Sequence, residues 1–264
     1  SNTIKSYRWV FRVGPPDKPV LIFQYHPTRS GQVPNEFLKD YAGYIQTDAY
    51  VGYDALGRRP EIYHVGCWSH ARRKFVKVIK AGSGKGKKGH AEIAIEYIQK
   101  IYAVEKSARK DQLTTDQIVA LRQEKSKPIL EEFNVWLNAP AGKTPPKGLL
   151  GKAVNYALKN WPLLVRYLEN GYITPDNNMA ENAIRPFVVG RKNWLFFGHP
   201  NGASAGSCLY SLIETAKACG LKPYNYLKYL FDSIPFAKTE PDFEKLLPQN
   251  LTQEEIENFI SRCA

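Results

Sequence analysis

Every segment with strand character in this chain falls within the first 66 residues, and helical periodicity dominates after that. Any sheet is therefore small and built early. Tyr7–Val13 (YRWVFRV) alternates and is rich in aromatic and β-branched residues, which predicts a strand. Gly14-Pro15-Pro16-Asp17 predicts a turn, and 20–25 (VLIFQY) the antiparallel partner strand. A short helix over 34–41 and a third strand over 43–47 follow, with Ile62–Val65 a further strand. Strand, strand, helix, strand is an α/β beginning. Asp48 stands at the tip of the third strand, where open α/β sheets place ligands. The same residue also suits a turn opening the AYVGY segment.

Cys67-Trp68-Ser69-His70 then leads into a basic helix, Ala71-Arg72-Arg73-Lys74-Phe75. Cys67 and His70 have metal-compatible spacing, but two ligands do not make a structural zinc site and no second Cys/His pair lies near, so zinc is not expected. Cys67 reads as a small buried residue. His70 suits either a group near a phosphate or a satisfied surface histidine. Arg72, Arg73 and Lys74 suit phosphate contacts or a solvated face. The basic loop 82–89 (GSGKGKKG) lacks a Walker closure. Amphipathic helices are predicted over 90–109 and 116–137, with Pro128 a kink or break. After a Pro/Lys connector (139–147), another is predicted over 149–170, which Pro162 can kink.

The stretch 174–197 (TPDNNMAENAIRPFVVGRKNWLFF) carries the second carboxylate of interest, Glu181. Asp176 predicts an N-cap for a helix over 177–185. Ala180, Ala183 and Ile184 would face inward, with Glu181 and Arg185 one turn apart. Pro186 is expected to limit that helix, and Gly190 to open a basic turn at Arg191-Lys192. A carboxylate among cations and amides suits a metal held against a phosphate; the same spacing suits a surface Glu–Arg pair. A Gly/Ser-rich turn is expected over 198–206, then a helix over 207–218 ended by Gly220. That helix carries a rival acid, Glu214. Further helices are predicted over 223–231 and, after a Pro-containing loop, 252–263.

The formal net charge of +12 over 264 residues points to a polyanionic partner, nucleic acid being the commonest, although a basic soluble protein without one has the same composition. The four cysteines are scattered without a CxxC pair, which fits a reducing compartment. No apolar run approaches membrane-spanning length and no signal segment opens the chain. Ser1-Asn2 reads as a cloning remnant, and the strand that follows almost at once suggests an excised fragment.

In order, then, come an acid at a strand tip, CxxH with a basic helix, a long helical block, and an acid on an Asn-rich helix. The sequence closely resembles the DDE transposases of the bacterial insertion-sequence 66 family. The resemblance rests on Gln46-Thr47-Asp48-Ala49-Tyr50-Val51-Gly52-Tyr53, on Cys67-Trp68-Ser69-His70-Ala71-Arg72-Arg73-Lys74-Phe75, and on Asp176-Asn177-Asn178 with Ala180-Glu181-Asn182. It continues through Ala183-Ile184-Arg185-Pro186-Phe187, Gly190-Arg191-Lys192-Asn193-Trp194-Leu195-Phe196 and 209–217.

The resemblance implies an α/β, ribonuclease-H-like mixed sheet with a large helical insertion and a helical C-terminal element. Residues 1–66 would form the N-terminal part of the core, 67–170 the basic helix and insertion, 171–220 the C-terminal part of the core, and 221–264 a helical tail. It implies cleavage and joining of DNA ends with Mg²⁺, or Mn²⁺ in its place. Asp48 and Glu181 would be the second and third acids and metal ligands. His70, Arg72, Arg73, Arg185, Arg191 and Lys192 are the candidates for phosphate contacts. The family's first acid lies in an Asp-Glu-Thr segment that this sequence does not contain. Asp17 and Asp40 do not fit that role, so this polypeptide is expected to be inactive alone. The partners implied are transposon-end and target DNA and further copies of the chain, in the bacterial cytoplasm at the nucleoid. The alternatives are a non-catalytic DNA-binding or scaffolding fragment and a nuclease of the same fold.

Overall fold

The computed structural model describes residues 5–15, 18–48, 50–82, 89–139, 145–194 and 197–262, with the side chains of 191–194 outside that description. Asp17 and most of the basic loop 82–89 therefore lie outside the described residues. The chain forms two compact units, residues 30–178 and residues 1–29 with 179–264.

In the central unit, α1 (Gln32–Phe37) precedes β3 (Gly43–Gln46), which pairs in parallel with β4 (Ile62–Val65). The register runs from Gly43 opposite Ile62 to Gln46 opposite Val65. Ile62 and His64 are buried on one face of β4, while on the other Val65 is buried and Tyr63 exposed. Val65 joins the core built by α2 (Trp68–Ala81), α3 (His90–Lys110), α5 (Lys127–Asn138) and α6 (Leu149–Lys159). Trp68 is their hub, fully buried, with its ring 6.0 Å from Phe133 and edge-on to Trp161 at 5.7 Å. Its indole N–H donates to the Leu164 carbonyl at 2.8 Å, which lets a polar tip enter the core without cost.

The expected helix over 116–137 is three pieces: α4 (Thr115–Leu121), a π-helical segment Arg122–Ser126, and α5. Pro128 explains the middle piece. Its ring lacks an N–H and would clash with the carbonyl four residues back, Glu124, so the preceding turn widens. The expected helix over 149–170 likewise breaks at Asn160 into α6 and α7 (Trp161–Val165), then a 3-10 turn at Arg166–Glu169.

In the other unit, β1 (Tyr7–Val13) and β2 (Val20–His26) form the expected antiparallel hairpin, with Tyr7 opposite His26 and Val13 opposite Val20. The other edge of β2 is closed by α10 (Pro200–Ala218). The Leu21 N–H donates to Thr215 Oγ1 (3.0 Å) and the Phe23 N–H to Ser211 Oγ (2.8 Å), so two side chains one helical turn apart stand in for a third strand. A separate core forms where Tyr226 and Leu230 of α11 (Pro223–Ser233) meet Leu246 and Ile256, the latter on α13 (Gln253–Arg262). Thr239 caps α12 (Glu240–Lys245), a helix within the stretch expected to be loop.

Three expectations are corrected. The sheets among the described residues are an antiparallel pair and a parallel pair, not one mixed sheet. The segment 198–206 is mostly helix, because Pro200 sits in the first turn, where its missing N–H costs nothing, and His199 Nδ1 caps the Asn201 N–H at 3.2 Å. Gly206 serves close approach rather than a turn, since a Cβ there would meet the Phe197 ring at 2.8 Å. Finally, Pro186 and Gly190 lie within α9 (Arg185–Trp194). Pro186 is its second residue, and burial of Phe187 offsets the roughly 1 kcal/mol that a helical glycine costs.

Candidate active site

Asp48 follows β3 by two residues, and the ladder that delivers it extends one step further through the Thr47 N–H, which donates to the Val65 carbonyl at 3.1 Å. Its half-buried carboxylate accepts the Tyr50 N–H through Oδ1 at 3.1 Å, so the turn role and the site role coexist. The carboxylate looks into a small crevice shared with His64, Cys67, Tyr156 and Asn160.

Behind Asp48 lies a buried polar relay. The Thr47 hydroxyl donates to the Asp48 carbonyl at 2.6 Å and lies 2.7 Å from His64 Nε2. A hydroxyl has one proton to give, so His64 donates from Nε2 to Thr47. Gly57 leaves room for that imidazole; a side chain there would collide with His64 Nδ1. Burial holds the His64 pKa below its usual 6.5, Arg166 lowers it further, and Asp54 opposes them.

A histidine with a depressed folded pKa binds fewer protons folded than unfolded. Its stabilising share is thus complete above about 6.5 and is lost as pH falls below that value. Urea unfolding should therefore weaken between neutral pH and pH about 5.5 more in the parent chain than in His64→Gln, which keeps a donor but cannot titrate. Equal pH slopes in the two proteins would remove His64 as a source of the acid sensitivity.

The loop before Glu181 is tied to this strand tip inside the central unit. Gln46 Nε2 donates to the Thr174 carbonyl at 2.6 Å and to the Gly66 carbonyl at 3.3 Å. The Trp68 N–H donates to the Pro175 carbonyl at 2.9 Å. The Thr174 hydroxyl donates to the Asp176 carbonyl at 2.6 Å. Asp176 then accepts the Asn178 N–H through Oδ1 (3.0 Å) and the Tyr102 hydroxyl through Oδ2 (2.6 Å). It caps α8 (Asn178–Ala183), as expected, and Glu181 lies half-buried in that helix's first turn.

The helix is shorter than 177–185: it stops at Ala183 and a turn at Ile184 separates it from α9. Exposed Arg185 donates to Asn182 Oδ1 at 3.3 Å. Arg191 and Lys192 are on α9, their side chains outside the described set. The rival acid Glu214 is buried on α10 and bridged by Lys217 at 2.7 Å, an occupied carboxylate.

Cys67 is buried at the start of α2, where desolvation pushes its thiol pKa up. His70 is in the helix's first turn, half-buried, and Arg72 and Arg73 are exposed one turn on. Asp48, His70, Arg72 and Arg73 thus belong to the central unit, and Glu181, Arg185, Arg191 and Lys192 to the other.

Sequence reasoning missed Gln46, His64, Tyr102 and the buried Glu105–Arg122 pair. Arg122 is 1% exposed and uses its whole guanidinium. It grips Glu105 through two 2.8 Å bonds and donates to the carbonyls of Tyr167 (2.7 Å), Asn170 (2.8 Å) and Ile173 (2.8 Å). The only local signal was an arginine ahead of a proline-disrupted helix, which does not reveal a partner.

A family model described as Transposase IS66 family matches residues 1–205, and one described as IS66 C-terminal element matches residues 211–249. The chain belongs to the IS66 transposase family. Among curated relatives, it is 29% identical to uncharacterized protein y4qI of Sinorhizobium fredii, over 97% of this chain and 48% of that protein. It is 29% identical to y4jD of the same organism, over 91% of this chain and 47% of that protein, and 28% identical to y4hP, over 79% and 40%. The chain thus spans less than half the length of these three curated relatives. No solved structure matches. Among the described residues no helix is long and apolar enough to cross a membrane.

Proposed function

We propose that this chain carries most of the catalytic domain of a DDE transposase with ribonuclease-H-like architecture, and that Asp48 and Glu181 are two of its three metal-binding acids. One observation carries the reading: the strand tip that ends in Asp48 and the loop that starts the Glu181 helix are hydrogen-bonded to each other through Gln46 and Thr174. Residues 128 apart in sequence are thereby joined, two residues before Asp48 and seven before Glu181 along the chain.

The donor set suits a hard divalent cation. Asp48 offers carboxylate oxygen at a crevice, and Glu181 offers it on a capped helix turn; Mg²⁺ prefers such oxygen ligands and keeps several waters. Bound divalent ions would stabilise the attacking and leaving oxygens of an in-line displacement at a phosphodiester. The chain's own part is to hold Asp48 with the Tyr50 N–H and to hold Glu181 on a helix fixed by Asp176. His70, Arg72, Arg73, Arg185, Arg191 and Lys192 would position the DNA backbone.

The remaining member of the triad, the family's first acid in an Asp-Glu-Thr segment, is not among these 264 residues, and the chain alone turns over no substrate. Active complexes contain more than one copy and work in the bacterial cytoplasm. The longer protein, given Mg²⁺ and an end-labelled transposon-end duplex, should both nick that end and join it to a second duplex, and EDTA should stop both. Nicking without joining would establish a nuclease instead. DNA binding indifferent to Mg²⁺, with no nicking, would establish a scaffolding role.

A further inference from the structure

We infer that the outward faces of α2 and α6 form a track for the backbone of duplex DNA that ends at Asp48, an inference that rests on the transposase reading. Neither helix contains a carboxylate. The neighbouring helices do: Glu92 and Glu96 lie on α3, and Glu131 and Glu132 on α5. The two helices that carry cations with no carboxylate among them thus pack against each other, whereas the cations of α3 are interspersed with acids.

On α2, the exposed Arg73, Lys77 and Lys80 follow one another at i, i+4, i+7, opposite the buried Trp68, Ala71 and Phe75. With a helical rise of 1.5 Å per residue they span about 10 Å, close to three axial phosphate steps of one DNA strand. On α6, exposed Lys152 and Lys159 lie at i−4 and i+3 of Tyr156 and so share its side of the helix.

The two rows meet at Tyr156. Lys74 of α2 sets its ammonium over the Tyr156 ring at 4.4 Å, which fixes the seam between the helices. Tyr156 also lines the crevice that holds Asp48. A polyanion lying along the seam is thus led to the carboxylate. These contacts are to the backbone and carry no base information, so the track is indifferent to sequence.

The test uses the 264-residue chain in EDTA, which silences cleavage, and a labelled duplex of arbitrary sequence about 30 base pairs long. Anisotropy titrations over a salt series compare the parent with the quadruple variant Lys77→Gln, Lys80→Gln, Lys152→Gln, Lys159→Gln. A second quadruple variant, Lys106→Gln, Lys110→Gln, Lys125→Gln, Lys127→Gln, removes the same charge from exposed positions outside α2 and α6. Urea midpoints check that both variants fold. The track predicts that the first variant loses about 3–4 units from the slope of log affinity against log salt, and at least about tenfold affinity near 0.1 M salt. The second should lose less than about one unit. Equal losses in the two variants would overturn the track. So would a parent chain that does not bind the duplex, or a loss confined to single-stranded DNA. Because no cleavage is read, a failed joining assay in the longer protein would leave a positive slope result standing, and the two readings fail separately.

Discussion

Arg122→Ala is expected to lower the stability of the central unit by about 3–5 kcal/mol, the range for breaking a buried, hydrogen-bonded ion pair. The substitution strands Glu105, itself only 8% exposed, and removes the donors of three backbone carbonyls at 167, 170 and 173. Those carbonyls belong to the segment that runs directly into the Thr174–Asp176 loop, so the loss should reach the start of α8. Arg122→Lys keeps the charge but cannot reproduce the planar fork, and it should fall between parent and alanine variant. Replacing both partners together, Arg122→Met with Glu105→Leu, should recover the part of the loss due to the stranded acid. It should not recover the part due to the carbonyls. Hydrogen exchange of the buried α3 amides reads this directly: a loss of 3–5 kcal/mol is about 10²–10⁴ in protection where exchange follows opening of the unit. A change under about tenfold would show that water relaxes the site and that the pair is worth little.

Asp48→Asn or Glu181→Gln in the longer protein is expected to reduce transposon-end nicking by at least about 10²–10³-fold, the scale for losing one preorganised electrostatic group at a reacting centre. Both changes are nearly isosteric, and an amide oxygen at 48 can still accept the Tyr50 N–H, so folding should be untouched. Glu214→Gln is the matched control. Its carboxylate is already held by Lys217 at 2.7 Å, so nicking should stay within a few-fold of the parent. A nicking loss at Glu214 with Glu181→Gln active would transfer the third acid's role to α10. Full activity in Asp48→Asn would end the claim that the β3 tip is catalytic.

Much of the local structure could be read without coordinates. Alternation marked β1 and β2, and Gly220 does end α10: its φ of +77° lies in the left-handed region, and the Leu221 N–H donates back to the Ala216 carbonyl at 2.8 Å. Asp176 does cap the Glu181 helix. The errors came where one residue type serves opposite purposes. Pro186 was read as a stop and is a first-turn residue, while Gly190 and the 198–206 stretch with Gly206 were read as turns and lie wholly or mostly inside helices.

The sequence by itself determined the element types, the strand tip bearing Asp48, the helix bearing Glu181 and the family, because short-range periodicity, capping chemistry and motif order are properties of neighbouring residues. Only the tertiary structure decided which buried polar groups answer one another: Gln46 with Thr174, Tyr102 with Asp176, Arg122 with Glu105, and Thr215 with the edge of β2. The physical reason is that a buried donor must find an acceptor within about 3 Å wherever the packed chain supplies one. That choice is made by the geometry of the whole core, and no local pattern of residues records it.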